Sequence, residues 1–254
     1  MLCTRCHHFE AAPDGVLCTQ CAVPSGFQAP PVGAPKLWLR SPVGLGRATA
    51  ALLAVAAAVD GLNLGAHLLV YDVSGDLAGG DSGAGVRDRS DLADTLTDVA
   101  GAAQALVLVV CAVVFVVWLW RVRRNAEVFA PDGHRKARGW VIAGWVVPIV
   151  SLWYPRRVVA DIWDASGTGD KPDGHGLINA WWTLWLLTIP LGEFLYTAFD
   201  RADTFQEIHD AVPQAMLADG LDLVAALLAA AVVLRLTRMQ NEKAHRGPEA
   251  PVAG

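Results

Sequence analysis

The sequence predicts an all-α integral membrane helix bundle of four spans plus one re-entrant or interfacial segment, preceded by a small zinc ribbon. Three observations predict it. Hydrophobic residues make up 54% of the 254 residues and charged residues 18%, with a mean hydropathy of +0.36, against roughly 45–50% and 25% in ordinary globular chains. The excess is gathered into runs long enough to cross a bilayer. Four of the five cysteines fall within the first 21 residues. A soluble globular enzyme and a wholly disordered chain do not have this composition, and a net charge of −5 argues against a nucleic-acid binder.

The ribbon comes first, over residues 1–22. Cys3, Cys6, Cys18 and Cys21 are spaced C-x2-C-x11-C-x2-C. Each C-x2-C pair can place two sulfurs on one ion, and two pairs supply the four thiolates of a tetrahedral structural zinc site. Asp14-Gly15 offers a turn between them. His7 and His8 read as solvated, because four thiolates close the shell. Two disulfides would be the alternative if this segment were exported, and a reactive C-x-x-C lacks its βαβ surroundings. So small a ribbon has almost no core, so bound zinc would supply its folding free energy. A closed site leaves no open coordination position for zinc catalysis. Residues 23–45 are rich in Pro, Gly and Ala without periodicity and read as a flexible linker. No signal peptide precedes the metal motif.

The membrane domain follows over 46–240, with a disordered tail over 241–254. A helix needs about 20 apolar residues to cross the hydrocarbon core. The expected spans are 47–71, 99–120, 177–199 and 221–236, the last extended at both ends. Gly139–Tyr154 is apolar but short and holds Pro148, which removes a backbone donor and breaks or kinks a helix. Charge decides how it is placed. If it does not cross, the N-terminal segment contributes four Lys or Arg, residues 121–171 nine and the C-terminal segment four, so 17 of the 20 share one side. If it crosses, the division is 11 against 9. The positive-inside rule favours the first arrangement. That puts both termini in the cytoplasm of a plasma-membrane protein, where thiolates stay reduced for zinc. The outer loops Asp72–Asp98 and Asp200–Asp219 are then acidic and read as solvated, since EF-hand spacing is absent.

Between Val113 and Ser166 the chain carries Trp118, Arg121, Asn125, then Trp140, Gly144-Trp145, Pro148, Trp153, Pro155 and Trp163. Trp118 and Trp120 are placed like an aromatic belt at the water boundary. Pro155 suits the first turn of a helix over 156–165. Val158, Val159, Ile162 and Trp163 form its apolar face, with Arg156, Arg157, Asp161 and Asp164 opposite, lying on the inner leaflet. This region resembles a bacterial membrane family known only as domain of unknown function 4328. The resemblance extends over about 45–240 and is specific within 113–166. Members often carry an N-terminal zinc ribbon or a Pro-rich tail. The resemblance implies a multi-span fold and brings no reaction, substrate or catalytic residue.

Inside the spans, Asp60, Asn63 and His67 share one helix face. A charged group in the bilayer needs a proton, a partner or water. A proton or cation pathway, with Glu193 facing the group from span three, is one reading. A polar contact between helices, helped by a Gly61/Gly65 close-packing face, is the other. Asp222 reads as interfacial and Cys111 as a packing residue. Serine-hydrolase, zincin and phosphate-loop motifs do not occur. The expected function is therefore non-catalytic: a membrane protein whose ribbon engages a cytoplasmic partner. The alternative is a small transporter or channel using Asp60, His67 and Glu193.

Overall fold

The computed structural model describes residues 3–4, 39–169 and 174–246. The chain divides into two units, Met1–Lys36 and Leu37–Gly254. Cys3 is buried within the first. Cys6, Cys18 and Cys21 lie outside the described residues, so the expected ribbon and its metal do too.

The second unit is helical throughout its described residues. Its elements are α1 (Val43–Ala78), α2 (Ala84–Phe129), α3 (Trp140–Val146), α4 (Tyr154–Ser166), α5 (Gly176–Asp200) and α6 (Phe205–Arg246). Helix α1 packs on α2 and α6, and α5 packs on α6. At 1.5 Å per residue, α1, α2 and α6 are about 54, 69 and 63 Å long. All three are long and apolar enough to cross a membrane. Helix α5 has 25 residues, with three tryptophans, Pro190 and Glu193, and is not one of those three.

These lengths correct the expected outer loops. Only residues 79–83 and 201–204 interrupt the helices there. A helix leaving an apolar layer has no reason to stop, because its backbone bonds are internal and its polar side chains meet water. Arg89 on α2 pairs with Asp76 on α1 across the first turn. The second turn ends in a capping box: the Glu207 carboxylate accepts the Thr204 N–H at 3.1 Å, and the Thr204 hydroxyl accepts the Glu207 N–H at 3.3 Å. At its other end α6 runs to Arg246, into the segment expected as a disordered tail. Lys243 is anchored there by the carbonyls of Ala165 and Gly167 at the end of α4.

Segment Gly139–Tyr154 folds back on itself. Helix α3 ends at Val146, Val147 is extended, and the Val150 N–H donates to the Pro148 carbonyl at 2.7 Å. Ile149, between them, has φ 66°, a γ-turn geometry that costs energy for a branched residue. A single 3₁₀ turn (Val150–Leu152) then leads into α4. The Trp140 and Tyr154 rings meet at 4.5 Å, so the two ends of the segment are side by side. Pro148 thus breaks the helix as its sequence predicts. Gly144 sits against the return: a Cβ there would touch that of Tyr154 at 3.4 Å, an ordinary contact.

Two packing expectations are corrected. The Gly61/Gly65 face makes no close approach, since a Cβ at Gly65 would meet open space. The tight contact is at Gly46, where a Cβ would fall 2.2 Å from the Thr237 hydroxyl. Trp118 is not a belt residue. It is fully buried, and its indole N–H donates to Thr237 at 3.1 Å. It belongs to a core with Phe115, Trp145, Trp181 and Trp182.

Candidate functional site

Helices α1 and α6 run antiparallel, which brings the start of α1 beside the end of α6 and the end of α1 beside the start of α6. Each junction holds a buried polar cluster. One end is rich in arginine, the other in aspartate.

At the acidic end, His67 Nδ1 lies 2.7 Å from the Asp219 carboxylate, with both side chains buried. The Tyr196 hydroxyl donates to the other oxygen of Asp219. Phe199 meets the His67 ring edge-on at 5.5 Å. About two turns back along α1, Asp60 is 3% exposed and accepts a hydrogen bond of 2.8 Å from Gln104 of α2. Asp222 lies between these groups, beside Thr188 of α5. Three carboxylates and one imidazole are thus gathered at this end, and four helices contribute side chains to the group.

The structure assembles the expected group only in part. Asp60 and His67 face inward as their spacing predicts. Asn63 is half-buried, and Glu193 is exposed on α5. The partner that α6 supplies is Asp219, which the sequence reading places among the solvated loop acids and which is 4% exposed. Its neighbours Ala218 and Gly220 give no apolar signal, and only the register of α6 against α1 reveals it. Cys111 is buried in packing, as expected.

At the basic end, Asn125 is the centre. Its Oδ1 accepts the Arg40 N–H at 3.0 Å, and its Nδ2 donates to the Arg40 carbonyl at 2.8 Å and to Gln240 Oε1 at 3.1 Å. Gln240 Nε2 donates in turn to the Val122 carbonyl and the Ser166 hydroxyl. One chain of amides joins the approach to α1, the end of α2, the end of α4 and the end of α6. Beside it Glu127 receives Arg123 and Arg138, and Arg123 also donates to the Lys136 carbonyl. His134 sits against this group. Burial, reinforced by the Arg123 charge, holds its imidazole below the usual histidine range.

Helix α4 departs from its expected setting. Val158, Val159, Ile162 and Trp163 are buried in the protein core, not laid on lipid. Asp161, expected on the polar face, is buried and accepts the Arg135 N–H at 3.1 Å. Amphipathic pattern alone does not say whether the apolar face meets lipid or a neighbouring helix.

Among the described residues no cluster of His, Cys, Asp and Glu has the arrangement to hold a metal ion. The molecule is thus a bundle of long apolar helices pinned at both ends by buried polar groups. The family described as Domain of unknown function (DUF4328) matches residues 82–238, and the chain belongs to that family. The match begins just before α2, so α1 stands outside it, whereas the sequence resemblance was drawn from about residue 45. No curated protein and no solved structure matches the chain.

Proposed function

We propose that the chain is a four-span, non-catalytic plasma-membrane protein with both termini in the cytoplasm, which presents a structural zinc ribbon, held by Cys3, Cys6, Cys18 and Cys21, to a cytoplasmic protein partner. The observation that carries the non-catalytic part is how the polar groups of the apolar helices are used. Asp60, His67, Asp219 and Tyr196 each bond to a side chain of another helix, which is the use expected of a polar contact holding helices together. The ribbon reading rests on the cysteine spacing alone. The fourth span is α5, about 37 Å long at 1.5 Å per residue and therefore sufficient. Its tryptophans and Pro190 are compatible with a helix packed among others.

The test is zinc content and partner capture on the same preparations. Purified protein should carry one zinc per chain, lost when the four cysteines become serine. Crosslinked partners from native membranes should change between the full chain and one lacking residues 1–22. Zinc-free wild-type protein, or identical partner sets, would count against the reading. One observation favours a second reading, a small transporter or channel: Asp60, Asp219 and Asp222 are gathered with His67 at one end of the apolar helices. Proton or cation flux into reconstituted vesicles that Asp60→Asn abolishes would move the assignment to that class.

A further inference from the structure

The basic end contains a cavity of about 100 Å³ lined by Arg40, Val117, Trp120, Arg121, Arg124 and Asn125. We propose that it binds the phosphate headgroup of an anionic phospholipid whose acyl chains lie along the exposed face of α2.

Three arginines are brought to this one cavity by construction. Arg121 and Arg124 are neighbours at i, i+3 on α2. Arg40 reaches them from a different part of the chain, because buried Asn125 grips its backbone on both sides. Among the described residues none of the three forms an ion pair with a carboxylate, while Arg123 and Arg138 close by do. Arg121 makes one long contact, 3.4 Å, to the Ser41 carbonyl. Three uncompensated cations around a small cavity fit a phosphate, which guanidinium donors recognise by charge and by paired hydrogen bonds.

The surroundings indicate which phosphate. Leu106, Val110, Val113 and Val117 are exposed large apolar residues at i, i+4, i+7 and i+11. They form one stripe along α2. Arg124 lies 18 residues beyond Leu106, about five full turns, so the same stripe runs into the arginines. Trp120 stands at the change from apolar to basic, where an amphipathic ring prefers the headgroup level. A free phosphate would use the cavity and ignore the stripe; a phospholipid uses both. This inference rests on the membrane reading above.

Native mass spectrometry of the full chain in detergent, titrated with phosphatidylglycerol and separately with phosphatidylcholine, tests it. Wild-type protein should hold one phosphatidylglycerol in preference. Arg40→Gln, Arg121→Gln and Arg124→Gln together should weaken that lipid about tenfold or more. Arg47→Gln, Arg157→Gln and Arg238→Gln remove equal charge from the same end and should leave the preference in place. Equal binding of the two lipids, or equal loss in both triple variants, would overturn the proposal. So would displacement of the lipid by millimolar inorganic phosphate, which would assign the cavity to a free anion. Alkaline carbonate extraction of each variant reads membrane insertion separately. Protein that is extracted overturns the membrane reading, and protein that stays embedded without the lipid preference overturns the headgroup site alone.

Discussion

The two ends of the α1–α6 pair solve the same problem with different chemistry. At the basic end the buried connections are carboxamides and backbone groups, with Arg123 and Arg138 paired to Glu127 and Arg40, Arg121 and Arg124 outside that pairing. At the acidic end the connections are ionisable, and carboxylates outnumber the imidazole. A neutral amide network holds its geometry at any pH. A carboxylate–imidazole contact joins two groups that can each carry charge. The comparison suggests a fixed end and a conditional end of one bundle.

The largest effect is expected where the fixed end is cut. Asn125→Ala leaves the Arg40 N–H and carbonyl and the Gln240 carbonyl oxygen without partners, and one to a few kcal/mol per stranded buried group puts the loss at about 3 kcal/mol or more. Thermal unfolding in detergent would measure it, and an unchanged midpoint would show that water replaces the amide. At the conditional end the cost should be smaller. A double-mutant cycle of His67→Ala and Asp219→Ala should give a coupling of about 1 to 2 kcal/mol, the upper part of the range for polar pairs between membrane helices. A coupling near zero would mean the pair forms without contributing.

The smallest effect sharpens the comparison with pH. His134 borders the fixed end, and burial with the neighbouring Arg123 lowers its pKa from 6.5. Its neutral form is favoured in the folded state, so its contribution is complete above about pH 6.5 and falls as acid protonates the unfolded chain first. Glu127 and Asp161 oppose this shift without reversing it. Unfolding midpoints measured from pH 7.5 to 5 should decline less in His134→Gln than in the wild type. Parallel curves would show that His134 is not the group responsible.

What sequence reading could and could not reach follows from the same contrast. Helix positions, the break at Pro148 and the inward face of Asp60 and His67 depend on local chemistry, and each was available from spacing. Asp219 was not, because its burial is decided by α1, more than a hundred residues away in the chain. Trp118 was missed for a related reason: a tryptophan at the end of an apolar run looks the same whether lipid or Thr237 receives its indole. Asn125 stood out among the residues of the family resemblance, but its role required the backbone of Arg40, which no periodicity relates to it. Glu193 differs again: it is exposed on α5, one turn before Tyr196, which reaches Asp219.

The Asn125–Gln240 bond also bears on how the protein is made. Arg40 and Asn125 leave the ribosome early, and Gln240 is in the last described turns of the last helix. Until α6 is synthesised almost to its end, the amide of Asn125 and the hydroxyl of Ser166 lack their final partner. The basic end therefore closes only after Gln240 has been made, so that this bond ties its packing to the synthesis of α6. A product stopped after Leu236 would contain nearly all the apolar residues needed for insertion and none of the closure.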